Sequence, residues 1–206
     1  MHTEAMSITY AYAPKLICAG IIFASLEDTC ASVRNQLVRI IGENNFISEG
    51  GAVEWMEFFE NDGVFYDGKR FKIALFSPRA DHTVYVCNLS DGWISLYENI
   101  VAAGAIDAYF FRSTLLKSAE YKIFEMLSWR RGILQRQLRV LQDDNGWDFL
   151  NNGSLLPFEE VERYKNRRVK DRLDNELIDR YSEAAGYRIS SVTSFNGRCC
   201  RFWRSR

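Results

Sequence analysis

DDNGWDFLNNGSLLPFEEVERYKNRRVKDRLDNELIDRYSEAAG, Asp143 to Gly186, joins a strand-rich middle to a helical end, and the rest of the chain is organised around it. Asn151-Asn152-Gly153 is turn chemistry, since Asn and Gly tolerate positive φ. Pro157 suits a first helical turn, where a missing N–H costs nothing. Glu159, Glu160 and Glu162 would fall early in that helix, and Arg167, Arg168, Lys170 and Arg172 late, the order that complements a helix dipole. Glu159 and Arg163 stand four apart with the acid first, the favourable sense for a helical ion pair. Asp174 then caps a second helix, Asn175 to Ala185, with Leu177, Ile178, Tyr181 and Ala185 on one face and Gly186 as its stop.

Downstream, Tyr187, Ile189, Ser191, Thr193 and Phe195 alternate, and Asn196-Gly197 is a strong hairpin signal before a return strand Arg198–Trp203. Upstream, Lys15 to Ala24 reads as a strand. Ser25 and Asp28 form a capping box opening a helix that runs to Ile41 and stops at Gly42, with Leu26, Cys30, Val33, Leu37 and Ile40 or Ile41 inward. Residues 42–51 look like a loop. Asp67-Gly68 suits a hairpin turn between Val64–Tyr66 and Arg70–Ser77, and Thr83–Leu89 is the next strand. Ser90 or Asp91 caps a helix through Ala103 with Trp93, Leu96, Tyr97, Ile100 and Val101 inward and Gly104 as its end. Ile106–Arg112 follows, then Tyr121–Trp129 and Ile133–Gln142 as a hairpin across Arg130-Arg131-Gly132, with Gly146–Phe149 either continuing the sheet or turning out of it. The implied fold is α+β, a mainly antiparallel sheet with about four helices packed on one face, a single-domain sandwich over 14–206 behind a flexible leader at 1–13.

The chain has 206 residues, and 47% hydrophobic and 14% aromatic content are enough for a sizeable core. Its net charge of −1 hides an asymmetry: residues 1–120 carry 9 Lys/Arg against 15 Asp/Glu, and residues 121–206 carry 17 against 12. Five scattered cysteines without a CxxC fit reduced, buried thiols, and adjacent Cys199 and Cys200 would face opposite sides of a strand. The apolar run Leu16–Ala24 is too short to span a bilayer. Cytoplasmic residence without membrane contact follows as the expectation.

Only two histidines are present, His2 and His82, with no HExxH, paired CxxC or EF-hand loop, so no metal site and no cofactor is expected. Neither GxxxxGK[ST] nor GxGxxG nor GxSxG occurs, and no catalytic constellation stands out. What remains is surface. From Glu43 to Asp67 the chain carries seven acids and no Lys or Arg, interleaved with Trp55, Phe58, Phe59 and Phe65. Those aromatics fit a core with solvated acids outside it, or an acidic patch that docks on a basic partner. In the second case Glu54, Trp55, Glu57, Glu60 and Asp62 are the candidate contacts. The opposite surface is Arg163, Arg167, Arg168, Lys170 and Arg172, which, if helical, could meet the phosphates of a nucleic acid, though no stacking module accompanies them.

GWDF at 146–149, PFE at 157–159, Tyr164, Arg167-Arg168, Lys170-Asp171-Arg172 and the YSEAAG end at 181–186 resemble small bacterial proteins of unassigned function, some of them similar to immunity proteins that neutralise toxins. The resemblance covers about the last third of the chain. It implies a cytosolic, non-enzymatic, single-domain binder with no cofactor, and carries over no catalytic residue. The expected partner is then a protein, a toxin with a basic cleft, met through the acidic segment by charge complementarity. Nucleic-acid association through residues 163–172 is the alternative.

Overall fold

The computed structural model describes residues 16–59, 71–89, 91–115, 119 and 121–204, except the side chain of Met56. The leader, the proposed turn at Asp67-Gly68 and the cap at Ser90 lie outside the described residues. The elements are β1 (Leu16–Ile22), α1 (Leu26–Ile41), β2 (Phe46–Gly51), α2 (Trp55–Phe59), β3 (Lys72–Arg79), β4 (His82–Cys87), α3 (Ile94–Gly104), β5 (Ala108–Thr114), β6 (Lys122–Arg130), β7 (Ile133–Asp143), β8 (Gly146–Gly153), α4 (Asn175–Ala184) and β9 (Cys199–Arg204). They form an α+β fold around one nine-stranded sheet, ordered β2-β9-β3-β4-β1-β5-β6-β7-β8, in which every pairing is antiparallel.

Apolar side chains leave the sheet on both faces, because its central strands are buried along their whole length and each second residue points the other way. One face carries α1 and α3, with Val33, Leu37, Leu96, Tyr97 and Ile100 packed over Ile22, Tyr85 and Trp129. The other carries α2, α4 and several 3-10 turns, with Trp55, Leu177, Ile178 and Tyr181 over Phe76, Phe111, Met126 and Leu138. The single helical face expected from the sequence is thus two.

Local signals act where they satisfy the backbone directly. Ser25 Oγ accepts from Asp28 N at 3.1 Å and Gly42 ends α1 at φ 86°, as the capping box implies. Asp174 caps α4 by accepting from Leu177 N at 2.9 Å. Arg131 and Gly132, both at positive φ (50° and 76°), make the tight turn between β6 and β7. Trp93 departs from expectation. It sits before α3 at φ 49°, its N–H held by Asp91 Oδ1 at 2.8 Å, and its ring packs on Phe71 instead of lining a helix face.

Four larger expectations are corrected. Residues 46–51 are not a loop but the edge strand β2, paired with β9. Its glycines suit it to this place: a side-chain carbon at Gly50 or Gly51 would stand only 3.2 or 3.0 Å from the guanidinium of Arg198 or Arg201. Asn151-Asn152-Gly153 is no turn; it ends β8 opposite Leu138, Gln137 and Arg136. Gly153 does take positive φ (87°), and a Cβ there would overlap the Gln135 carbonyl.

No helix starts at Pro157. Residues 154–173 wind across the sheet with only two 3-10 turns, Val161–Lys165 and Val169–Asp171, because Glu159, Tyr164 and Leu173 must all reach inward. Residues 187–195 form no strand either. Side chains of α4 take their amides: Ser182 Oγ accepts from Ile189 N at 3.1 Å and Asp179 Oδ1 from Ser190 N at 2.9 Å. The 3-10 turn Ile189–Ser194 results, and the last strand pairs with β2 and β3 instead of folding back on its own approach.

Candidate functional site

The acidic segment builds one wall of a cleft. Its helix α2 is held from below: Trp55 is only 8% exposed, its indole N–H donates to the Phe195 carbonyl at 2.7 Å, and its ring meets those of Phe58, Phe59 and Phe76 at 5.5–6.1 Å. Trp55 is therefore core and leaves the list of surface contacts. Glu54 and Glu57 face solvent on the same short helix and its lead-in. Glu60 and Asp62 lie outside the described residues.

Opposite these carboxylates stand the strands at the β2 edge. The cleft between them holds about 350 Å³ and is lined by Glu49, Glu54, Glu57, Lys72, Arg201 and Trp203, over Val53 and Phe58. Glu49 pairs with Arg201, whose guanidinium also lies 5.6 Å from the centre of the Trp203 ring. Lys72 Nζ donates to the Glu57 backbone carbonyl at 2.6 Å, which ties α2 to β3, and the Glu57 carboxylate has no partner among the described residues. The Glu54 carboxylate is likewise without a partner among the described residues. Arg201 and Trp203 belong to this cleft because β9 inserts between β2 and β3, a placement that no local spacing in the sequence announces.

The basic segment is placed very differently. Arg163 meets Asp174 at 2.6 Å, Arg168 meets Asp171 at 2.6 Å, and Lys165 meets Glu162 at 2.7 Å. Arg172 donates to the Asn166 carbonyl at 2.8 Å and lies 4.9 Å over the Phe149 ring. With no helix here, the expected shared faces do not exist, and the Glu159–Arg163 helical pair does not form. Arg167 and Lys170 alone in this set are exposed and lack a partner among the described residues. Most of the positive charge holds the winding 154–173 segment together.

Beneath that segment lies a polar cluster that sequence spacing does not reveal. Arg136 on β7 and Glu159 face each other with both side chains at 0% exposure. Arg136 Nη1 also donates to Asn151 Oδ1 and the Asn152 carbonyl, at 2.7 and 2.9 Å. Glu159 accepts in addition from Leu156 N and Tyr164 OH, at 2.9 and 2.8 Å. Burial pushes the Tyr164 hydroxyl up, with its bonds to Tyr181 and Glu159 acting in the same sense. Its donors and acceptors are spent on one another, so the cluster fastens the segment to the sheet and offers nothing to a substrate.

No group of three or more His, Cys, Asp or Glu side chains capable of holding a metal ion occurs among the described residues, and none of their helices is long and apolar enough to cross a membrane. Comparison with known protein families, with curated proteins and with solved structures finds no match.

Proposed function

We propose that the chain is a protein-binding module that presents the acidic wall of the α2 cleft to a basic partner. The observation that carries this reading is the state of Glu54 and Glu57: exposed carboxylates without ionic partners among the described residues, on a short helix and its lead-in pinned by three buried aromatic rings. Charges held this way complement an opposite surface with little ordering left to do on association, and they steer the encounter. Glu60 and Asp62 continue the same acidic run. Trp203, beside Arg201, supplies an aromatic surface at the opposite wall.

The resemblance of residues 146–186 to immunity-type proteins suggests a toxin as the partner, and the acidic segment 43–67 fits one with a basic, nucleic-acid-binding cleft. In this role the chain is a cytoplasmic, single-domain inhibitor needing neither cofactor nor turnover. The alternative, association with nucleic acid through residues 163–172, is weakened by the internal pairing of Arg163, Arg168 and Arg172.

The test is affinity capture from lysate of the source cell, run beside the double variant Glu54→Lys/Glu57→Lys with identification of retained proteins. A basic protein held by the parent and released by the variant supports the reading. Equal retention by both discards the patch. Retention of nucleic acid that falls steeply with added salt and with loss of Arg167 and Lys170 would favour the alternative.

A further inference from the structure

The sheet ends on β8, eight residues long, at the opposite edge from the α2 cleft. β7 meets it along Arg136–Asp143 without a register shift, and among the described residues the β8 backbone bonds only to that strand. Every second residue of β8 therefore turns its N–H and C=O to the open side. Folded proteins blunt such an edge with lysine, proline, a bulge or a very short strand. GWDFLNNG carries none of these, and its single charge is Asp148. The other edge strand, β2, is shorter and closes on Gly50 and Gly51. Exposed apolar side chains flank β8 at both ends. Leu155 lies at one with Ile133 and Leu134 from the start of β7, where Ser154 N donates to the Gln135 carbonyl at 3.3 Å. Tyr121 lies at the other, its hydroxyl 3.2 Å from Asp144 in the β7–β8 turn.

We propose that β8 is the contact strand of a reversible homodimer: it pairs antiparallel with β8 of a second copy about a two-fold axis at Phe149, joining the two sheets into one.

Charge selects a second copy and sets the register. Arg112, Glu125 and Arg139 stand directly opposite one another on β5, β6 and β7, an alternating row whose next position is Leu150 on β8. Arg112 Nε donates to Glu125 Oε2 at 2.6 Å. Arg139 is less well served: its Nη2 lies 3.4 Å from Asp148 Oδ2, and its Nε is buried without an acceptor among the described residues. A two-fold axis at Phe149 sets Asp148 of the second copy opposite Leu150, so the row continues with the negative charge it lacks. That aspartate is then two strand spacings from Arg139, about 10 Å between backbones, which the two side chains span together. An axis at Asp148 would set two carboxylates opposite each other, which is destabilising. An axis at Leu150 would set Asp148 against Asn152 and leave Arg139 as it is. Pairing along one strand edge buries less surface than a permanent dimer requires, so the association depends on concentration. It leaves both α2 clefts at the outer ends of the joined sheet and does not depend on what they bind.

Sedimentation velocity of the full chain over a concentration series, with hydrogen–deuterium exchange at its two ends, tests this. The mass should rise from one chain towards two, and amides of β8 should exchange more slowly at the high concentration while those of β2 do not change. Asp148→Lys, at an exposed position, should weaken the dimer by at least about tenfold, because a lysine then meets Arg139 of the second copy. Asp148→Asn, which keeps the shape and removes the charge, should fall between the parent and the lysine variant. A chain that stays monomeric throughout the series, or a dimer indifferent to Asp148→Lys, overturns the proposal. So does a dimer whose β8 amides exchange as fast as in the monomer, or one that slows exchange at β2 instead.

Discussion

Arg136 and Glu159 meet through two parallel bonds, Nε to Oε1 at 2.8 Å and Nη2 to Oε2 at 2.6 Å, in a place that water does not reach. The pair joins β7 to a segment that helical propensity would send elsewhere. Two desolvated charges are tolerated because both Nη1 hydrogens of Arg136 go to Asn151 and Asn152, and the Glu159 oxygens accept in addition from Leu156 and Tyr164. Removing one partner leaves the other buried and uncompensated.

Glu159→Gln and Arg136→Met are each expected to destabilise the chain by about 3–5 kcal/mol in denaturant titrations. The double substitution Arg136→Met/Glu159→Leu should recover a large part of that loss, because no charge is then stranded. A double variant as weak as the sum of the singles would mean no coupling between the two side chains and would contradict a stranded charge as the cause of the single losses.

Gly20 lies beneath Tyr97, and a methyl group at that position would overlap the phenol ring. The hydroxyl of Tyr97 stands 2.7 Å from the Tyr109 carbonyl and 3.2 Å from that of Ile21, so the ring cannot swing away without losing a buried bond. Gly20→Ala is expected to cost about 1–3 kcal/mol by thermal melting. Adding Tyr97→Leu should make the alanine easier to bear than it is in the parent, which a double-mutant cycle reads directly.

The tyrosines predict an alkaline limit to stability. Burial raises Tyr85, Tyr97 and Tyr164 above their ordinary value of 10.0 and takes Tyr187 to about 12. A hydroxyl that holds its proton more tightly when folded stabilises the fold fully below pH 10, and this contribution is lost as pH rises from there through 12 and beyond. Phenolate absorbance should therefore appear late and in step with unfolding. A smooth rise around pH 10 with circular dichroism unchanged would contradict the packing described.

Within the basic segment the arginines should separate by role. Arg172→Ala removes a bond to the Asn166 carbonyl and the contact with Phe149 and is expected to cost about 1–2 kcal/mol. Arg167→Ala and Lys170→Ala should stay within about 0.5 kcal/mol of the parent, as for exposed positions elsewhere. Denaturant midpoints for the three variants decide the matter.

Elements whose signals are local could be read from neighbouring residues before any fold was known. Ser25 with Asp28, Asp174 with Leu177 N, and Arg131-Gly132 are complete within a few residues, so the helices and the turn they begin are legible without a fold. A strand such as β1 announces itself by its apolar run, and the acids at 54 and 57 by composition. Other choices rest on contacts between distant parts of the chain. Whether Asn151 to Gly153 turns or pairs depends on β7 lying alongside. Whether Pro157 opens a helix depends on an arginine some twenty residues earlier needing Glu159 in the core. Whether Arg201 meets Glu49 depends on β9 slipping between β2 and β3. Hydrogen bonds within a turn are specified by neighbours in the chain, whereas the desolvation of a charge or the pairing of an edge strand is specified by whatever else the fold brings to that point.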